Sequence, residues 1–124
     1  MPYAATASIA FPDDLTHKIQ KAREIKGTRF IHILSPCTTG WKIGEDMAVK
    51  VAMLSVETNI FPLYEILDGI EYTINNKSRG LPIEKYLTLQ GRYKHLGKKE
   101  IQAIQTETDR SCAELQYKTF EERK

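Results

Sequence analysis

The sequence predicts an α/β domain: a parallel βαβαβ sheet followed by a C-terminal hairpin and a helical tail. Three observations carry this. Short apolar runs alternate with stretches of helical periodicity, in the order strand, helix, strand, helix, strand, which implies right-handed crossovers and a parallel sheet. Asp68-Gly69 separates two strand-like runs and signals a tight hairpin turn. Beyond Pro82 the pattern is helical alone. With 124 residues there is room for a single domain, 1–124, with an α/β core over 1–74 and a helical tail over 82–124.

The elements follow in order. Tyr3 to Ala10 is small, β-tolerant and almost uncharged, a short buried strand entered abruptly at Met1-Pro2. A buried strand so early suggests the back end of something larger. Pro12-Asp13-Asp14 opens a helix, with proline suited to the first turn and aspartates to the positive end of the dipole. Leu15, Ile19, Ala22 and Ile25 mark its apolar face, Lys18, Lys21, Arg23 and Lys26 fall mostly elsewhere, and Gly27 is a natural stop. Phe30 to Leu34 is apolar on both faces except at His32, the pattern of a parallel strand covered on both sides. A loop from Ser35 to about Gly44 leads to a second helix, roughly Glu45 to Glu57, with Met47, Val51, Leu54 and Ser55 inward and Ala48 and Ala52 allowing close approach.

Phe61 to Leu67, introduced by Asn59, is the third strand, and Ile70 to Ile74 returns antiparallel. Asn75 to Gly80 is polar and loop-like. Pro82-Ile83-Glu84 opens a short helix carrying Tyr86, Leu87 and Leu89. A longer one runs from about Lys98 to Phe120, with Ile101, Ile104, Thr108, Cys112 and Leu115 along one face.

Composition removes several functions. A formal charge of +2 implies no nucleic-acid or anionic-membrane partner, and the densest basic cluster, Arg92, Lys94, His95, Lys98 and Lys99, runs directly into Glu100, which reads as a solvated mixed-charge surface ahead of the alternative, a phosphate-binding or docking patch. No apolar run approaches the ~20 residues that span a bilayer. The first residues lack the pattern of a secretory signal, and Cys37 and Cys112 are far apart, so a reduced, cytoplasmic setting is expected.

The residue with most chemical promise is Cys37. It follows Pro36 at the mouth of the Phe30–Leu34 strand and precedes Thr38-Thr39-Gly40-Trp41. In open α/β sheets, ligands bind just beyond the carboxyl ends of strands. Cys37 reads as a metal or cluster ligand, a nucleophile, a redox thiol, or a small buried residue. Gly40 lets backbone approach a cofactor, and N–H groups in such a turn stabilise sulfur. His32 does not obviously converge with Cys37, because alternate strand positions face opposite sides. Cys112 belongs to the helical core face. Trp41 caps a cofactor or anchors an interface. Glu65, in an apolar strand, points outward or is a buried partner. There is no Cys-x-x-Cys, no Gly-x-Gly-x-x-Gly, no phosphate loop and no nucleophile elbow, so no self-contained active site can be assembled.

Several blocks carry a resemblance in the same order. They are Tyr3-Ala4-Ala5-Thr6-Ala7-Ser8, Phe11-Pro12, Lys26-Gly27, Phe30-Ile31-His32-Ile33-Leu34-Ser35-Pro36-Cys37 with Gly40-Trp41, and Val56-Glu57-Thr58 with Phe61-Pro62-Leu63-Tyr64-Glu65. The last is Ile83 to Tyr93, with His95-Leu96. The sequence resembles the C-terminal part of the β subunits of 2-oxoacid:ferredoxin oxidoreductases, the pyruvate type (pyruvate synthase) above all. The resemblance implies a partial thiamin-diphosphate-binding fold. It implies oxidative decarboxylation of pyruvate to acetyl-CoA and carbon dioxide, with electrons passed through [4Fe–4S] clusters to ferredoxin. The implied cofactors of the complete complex are thiamin diphosphate, Mg²⁺ and a [4Fe–4S] cluster. The implied partners are its other subunits, the missing N-terminal part of the β subunit, ferredoxin, a 2-oxoacid and coenzyme A.

Cys37 matches the last cluster ligand, and Thr38, Thr39, Gly40 and Trp41 would shape the cofactor surroundings. The family's Cys-x-x-Cys pair, its third cysteine and its Gly-Asp-Gly motif for Mg²⁺ and diphosphate lie upstream of anything present, so the isolated chain is expected to be inactive. The alternative is a non-catalytic α/β interaction module with Cys37 a structural thiol.

Overall fold

A computed structural model describes residues 1–122, with side chains as far as Thr119; Arg123 and Lys124, the end of the predicted tail, lie outside the described residues. The chain forms β1 (Tyr3–Ser8), α1 (Pro12–Glu24), β2 (Arg29–Leu34), α2 (Thr38–Trp41) and, after a 3-10 turn at Glu45–Met47, α3 (Ala48–Glu57). It continues with β3 (Tyr64–Leu67), β4 (Glu71–Ile74), α4 (Glu84–Leu87), a 3-10 turn at Gly91–Tyr93 and α5 (Lys98–Glu122). The α/β class is as predicted.

The sheet is ordered β2-β1-β3-β4 and is mixed. β1 and β2 pair in parallel, with Ala4 opposite Phe30 and Thr6 opposite His32. The predicted parallel βαβαβ order is corrected at β3, which joins β1 antiparallel with Ala5 opposite Glu65. The cause lies in α3. A crossover helix must carry the chain back along the sheet before a parallel strand starts. Here α3 instead packs on α4 and the turn before it. The chain re-enters the sheet beside Thr6, whose hydroxyl donates to the Pro62 carbonyl (2.6 Å) and accepts from the Tyr64 N–H (3.0 Å). The β3–β4 hairpin is as expected, turning through Asp68 (φ 53°) and Gly69 (φ 72°), the two left-handed positions of a tight hairpin.

Strand β2 also departs from expectation. It lies at the sheet edge, and its side chains are not covered on both faces: Phe30 is 54% and Ile33 44% exposed. Ala4, Thr6, Phe30, His32, Tyr64 and Ile66 line an open hollow of about 120 Å³ on the sheet face turned away from α1.

Two small cores result. On the sheet, Tyr3, Ala5 and Ala22 pack with Ile25, Ile31 and Leu67. The small residues of β1 let α1 approach closely. Away from it, Ile43, Val51, Ile83, Tyr86 and Leu87 form a second cluster, joined by Trp41, Leu54, Tyr93, Ile101 and Ile104. The amphipathic face predicted for the last helix is seated as expected, with Thr108 buried and Ile101, Ile104, Cys112 and Leu115 half-buried.

Lys18, assigned to the outer face of α1, is instead its most buried residue at 2% exposure. Its ammonium donates to the Thr6 carbonyl (2.7 Å) and to Asp14 (2.6 Å), which compensates a charge otherwise too costly to bury. Glu65 takes the buried alternative. Its carboxylate accepts from the Tyr3 hydroxyl (2.6 Å) and the Asn75 amide (2.8 Å), with Lys21 at 3.5 Å.

Burial pushes the Glu65 carboxyl up, but the Tyr3 and Asn75 hydrogen bonds and the charges of Lys21 and Lys18 outweigh it, and the net direction is down. Burial and the Glu65 carboxylate push the Tyr3 phenol up. A lowered carboxylate stabilises the fold fully above its unfolded pKa of ~4.3, and that stabilisation is lost as pH falls through the folded value. Glu65→Gln is therefore expected to lower stability at pH 7 by ~1–3 kcal/mol, with a smaller difference from wild type at pH 3. Urea denaturation of both chains across this range checks it.

Candidate functional site: the Cys37 turn

β2 delivers the chain through Ser35-Pro36 to Cys37 at the carboxyl end of the strand, as the sequence suggested. What read as an open loop is a compact turn. The Cys37 carbonyl accepts from the Trp41 N–H (2.9 Å), Thr39 from Lys42 (3.3 Å) and Thr38 from Ile43 (3.1 Å). The turn closes at Lys42, in the left-handed region at φ 54°. Cys37 is exposed and forms no disulfide. Its Sγ accepts from the Gly40 N–H at 3.3 Å, and a Cβ at Gly40 would come within 3.4 Å of that sulfur.

The predicted site residues are thus brought together, with a difference in role. Thr39 and Gly40 are exposed beside the thiol and Thr38 is half-buried. Trp41 turns inward. Its ring packs on the α3–α4 cluster, and the Arg92 guanidinium lies 4.0 Å from its centroid. Arg92 also stacks on Tyr93 at 4.6 Å. Arg92 is therefore no part of a solvated basic surface, although Lys94 and His95 beside it are exposed. The role of Arg92 was missed. The available signal was its place next to Tyr93 in a chain whose single tryptophan sits in the cysteine loop.

A second fastening is steric. The Gly91 N–H donates to the Lys42 carbonyl (2.9 Å), and a Cβ on Gly91 would fall 2.6 Å from Lys42 Cβ. Only a residue without a side chain allows the two turns to meet.

His32 does not join Cys37; its ring packs edge-on against Phe61 (5.2 Å) and near Phe30 (6.5 Å). Among the described residues, no group of three or more His, Cys, Asp or Glu side chains is placed to hold a metal ion. Cys112 is half-buried, its thiol pushed up by burial and by Asp109. It lines a hollow of about 390 Å³ beneath α5 with Val56, Ile74, Asn76 and Leu115, a space that touches none of the Cys37 turn.

Comparison with known proteins gives this geometry a context. No family model matches the chain. It is 44% identical over 113 residues to the pyruvate synthase subunit PorB of Methanocaldococcus jannaschii, covering 90% of this chain and 38% of that protein. It is 44% identical over 108 residues to the ketoisovalerate oxidoreductase subunit VorB of Pyrococcus horikoshii, covering 85% and 34%. Against PorB of Methanothermobacter marburgensis the figures are 42% over 115 residues, 93% and 40%. The chain is homologous to part of the β subunits of 2-oxoacid:ferredoxin oxidoreductases, of which it spans about two-fifths. Within that class the relatives compared include both PorB and VorB subunits, at equal identity.

Two outcomes follow from the turn. Iodoacetamide at neutral pH is expected to modify Cys37 ~tenfold or more faster than Cys112, read by peptide mass spectrometry. Gly91→Ala is expected to cost ~1–3 kcal/mol by forcing the turns apart, with the Trp41 emission shifted to the red in thermal and fluorescence measurements.

Proposed function

We propose that this chain is the C-terminal portion of a 2-oxoacid:ferredoxin oxidoreductase β subunit, working on pyruvate in the cytoplasm, and that Cys37 is one of four cysteine ligands of a [4Fe–4S] cluster. The observation that carries the reading is an exposed thiol held in a backbone-supported turn at a strand mouth, in a chain 44% identical to a PorB subunit over most of its length. The residues present fit a cluster as the source of one thiolate; such clusters take four. The chain has no Gly-Asp-Gly segment for Mg²⁺ and diphosphate, so that site falls to the remaining part of the subunit.

When bound, thiamin diphosphate would supply carbanion chemistry at the 2-oxoacid carbonyl and the cluster one-electron transfer, with ferredoxin as electron acceptor and coenzyme A as acyl acceptor. The chain's own contribution is positional. Cys37 presents Sγ outward, the Gly40 N–H hydrogen-bonds that sulfur, and Thr38 and Thr39 flank it. Hydrogen bonds to cluster sulfurs are among the levers that set the potential. Trp41 supports the turn from behind.

The test is anaerobic co-production with a polypeptide covering the portion of a PorB relative that this chain does not match. A complex with bound iron and a cluster absorption band is expected, turning over pyruvate with a higher kcat/KM than 2-oxoisovalerate. Cys37→Ala in that complex is expected to remove the cluster. A complex that forms but keeps its full iron content without Cys37 contradicts the ligand assignment, and a wild-type complex that never takes up iron favours an interaction module.

A further inference from the structure

We infer that Arg92 is a positioning residue for the Cys37 turn, setting from the helical tail the geometry in which the thiolate meets its cluster; this rests on the reading of Cys37 as a ligand. The chain of contacts is continuous. Gln90 is buried, and its amide donates to the Tyr86 carbonyl (2.9 Å), which fixes the base of the tail turn. Gln90 Oε1 accepts from Arg92 Nε (2.8 Å), and Arg92 Nη2 reaches the Tyr86 hydroxyl (3.5 Å). These bonds hold the plane of the guanidinium. The guanidinium carbon lies against two aromatic rings, 4.0 Å from the Trp41 centroid and 4.6 Å from that of Tyr93. Trp41 ends α2, and its N–H donates to the Cys37 carbonyl (2.9 Å). The Gly40 N–H beside it donates to Cys37 Sγ (3.3 Å). A shift of the indole therefore moves both the carbonyl and the sulfur of Cys37.

Arginine suits this position and lysine does not. Only a planar, delocalised cation contacts two rings while its N–H groups are held by an amide and a hydroxyl. Arg92 reaches the Cys37 turn through its contact with Trp41, so its effect on Cys37 passes through that ring.

The chain's single tryptophan makes the coupling measurable in the full chain. In a Cys112→Ala background, Arg92→Ala and Arg92→Lys are compared with the parent. The readouts are circular dichroism, Trp41 emission and Cys37 alkylation rate. Both variants are expected to keep the parent's helix content, to shift Trp41 emission to the red, and to raise Cys37 alkylation roughly three- to tenfold, the Lys variant less than the Ala. Because Lys keeps the charge, a rise there reports loosening of the turn. If Arg92→Ala does not fold, Arg92→Lys decides.

In the iron-loaded complex, Arg92→Lys is expected to retain iron but to alter the electron paramagnetic resonance spectrum and the midpoint potential of the cluster. Unchanged Cys37 alkylation in the folded variants, or an unaltered spectrum and potential in the complex, overturns the inference. Failure of the ligand reading has a different signature: the coupling between Arg92 and Cys37 persists in the chain, while Cys37→Ala leaves the iron in place.

Discussion

The meeting of two turns, Thr38–Lys42 after β2 and Gly91–Tyr93 from the tail, is the contact on which the site depends. It combines a backbone hydrogen bond, a close approach that only glycine permits, and a guanidinium in cation–π contact with Trp41 and Tyr93. Each is modest alone. Together they fix a short turn that begins at an exposed thiol. A four-residue helix has no intrinsic stability in water, so its shape comes from what it is packed against. Here that is the cluster built by α3 and α4, and the tail of the chain thereby sets the geometry of a loop some fifty residues earlier.

The sheet is held by different means. β1 is central to the β2 and β3 pairings, and its alternation of Tyr3, Ala5 and Ala7 toward α1 makes a close seat for that helix. The polar groups at this seat are paired: Lys18 with Asp14 and a β1 carbonyl, Glu65 with Tyr3, Asn75 and Lys21. The net stabilisation from such pairs is small, because their desolvation offsets much of their attraction. The sheet carries the strand mouth at which Cys37 stands, and the second core fixes the angle of the turn.

Local pattern was read well where chemistry is local. Pro12 with two aspartates starts α1, Asp68-Gly69 turns the hairpin, and the face of α5 follows its spacing. The misreadings share one cause, that periodicity reports what a residue is suited to and not what covers it. β2 has the composition of a doubly covered strand, yet in this chain it is an edge. Lys18 was assigned by polarity, whereas its hydrogen bonds to the Thr6 carbonyl and Asp14 allow its burial; of the two alternatives for Glu65, the Tyr3 and Asn75 hydrogen bonds select the buried one. The sense of β3 depends on where α3 packs, which no local pattern encodes. Cys37 and its neighbours were legible from their place after a strand and before Gly40. Arg92 was not, because its partner Trp41 is distant in sequence and a basic run reads as solvated surface.

The most direct test of this account is residue-resolved hydrogen exchange on the chain. If the tail builds the cysteine turn, the Trp41 and Ile43 amides are protected, and Arg92→Ala or Gly91→Ala releases them while β1 keeps its protection. Trp41 and Ile43 amides exchanging at the rate of an unstructured loop, with Gln90 and Gly91 still protected, would show that the turn and the tail are independent, and the account would be wrong.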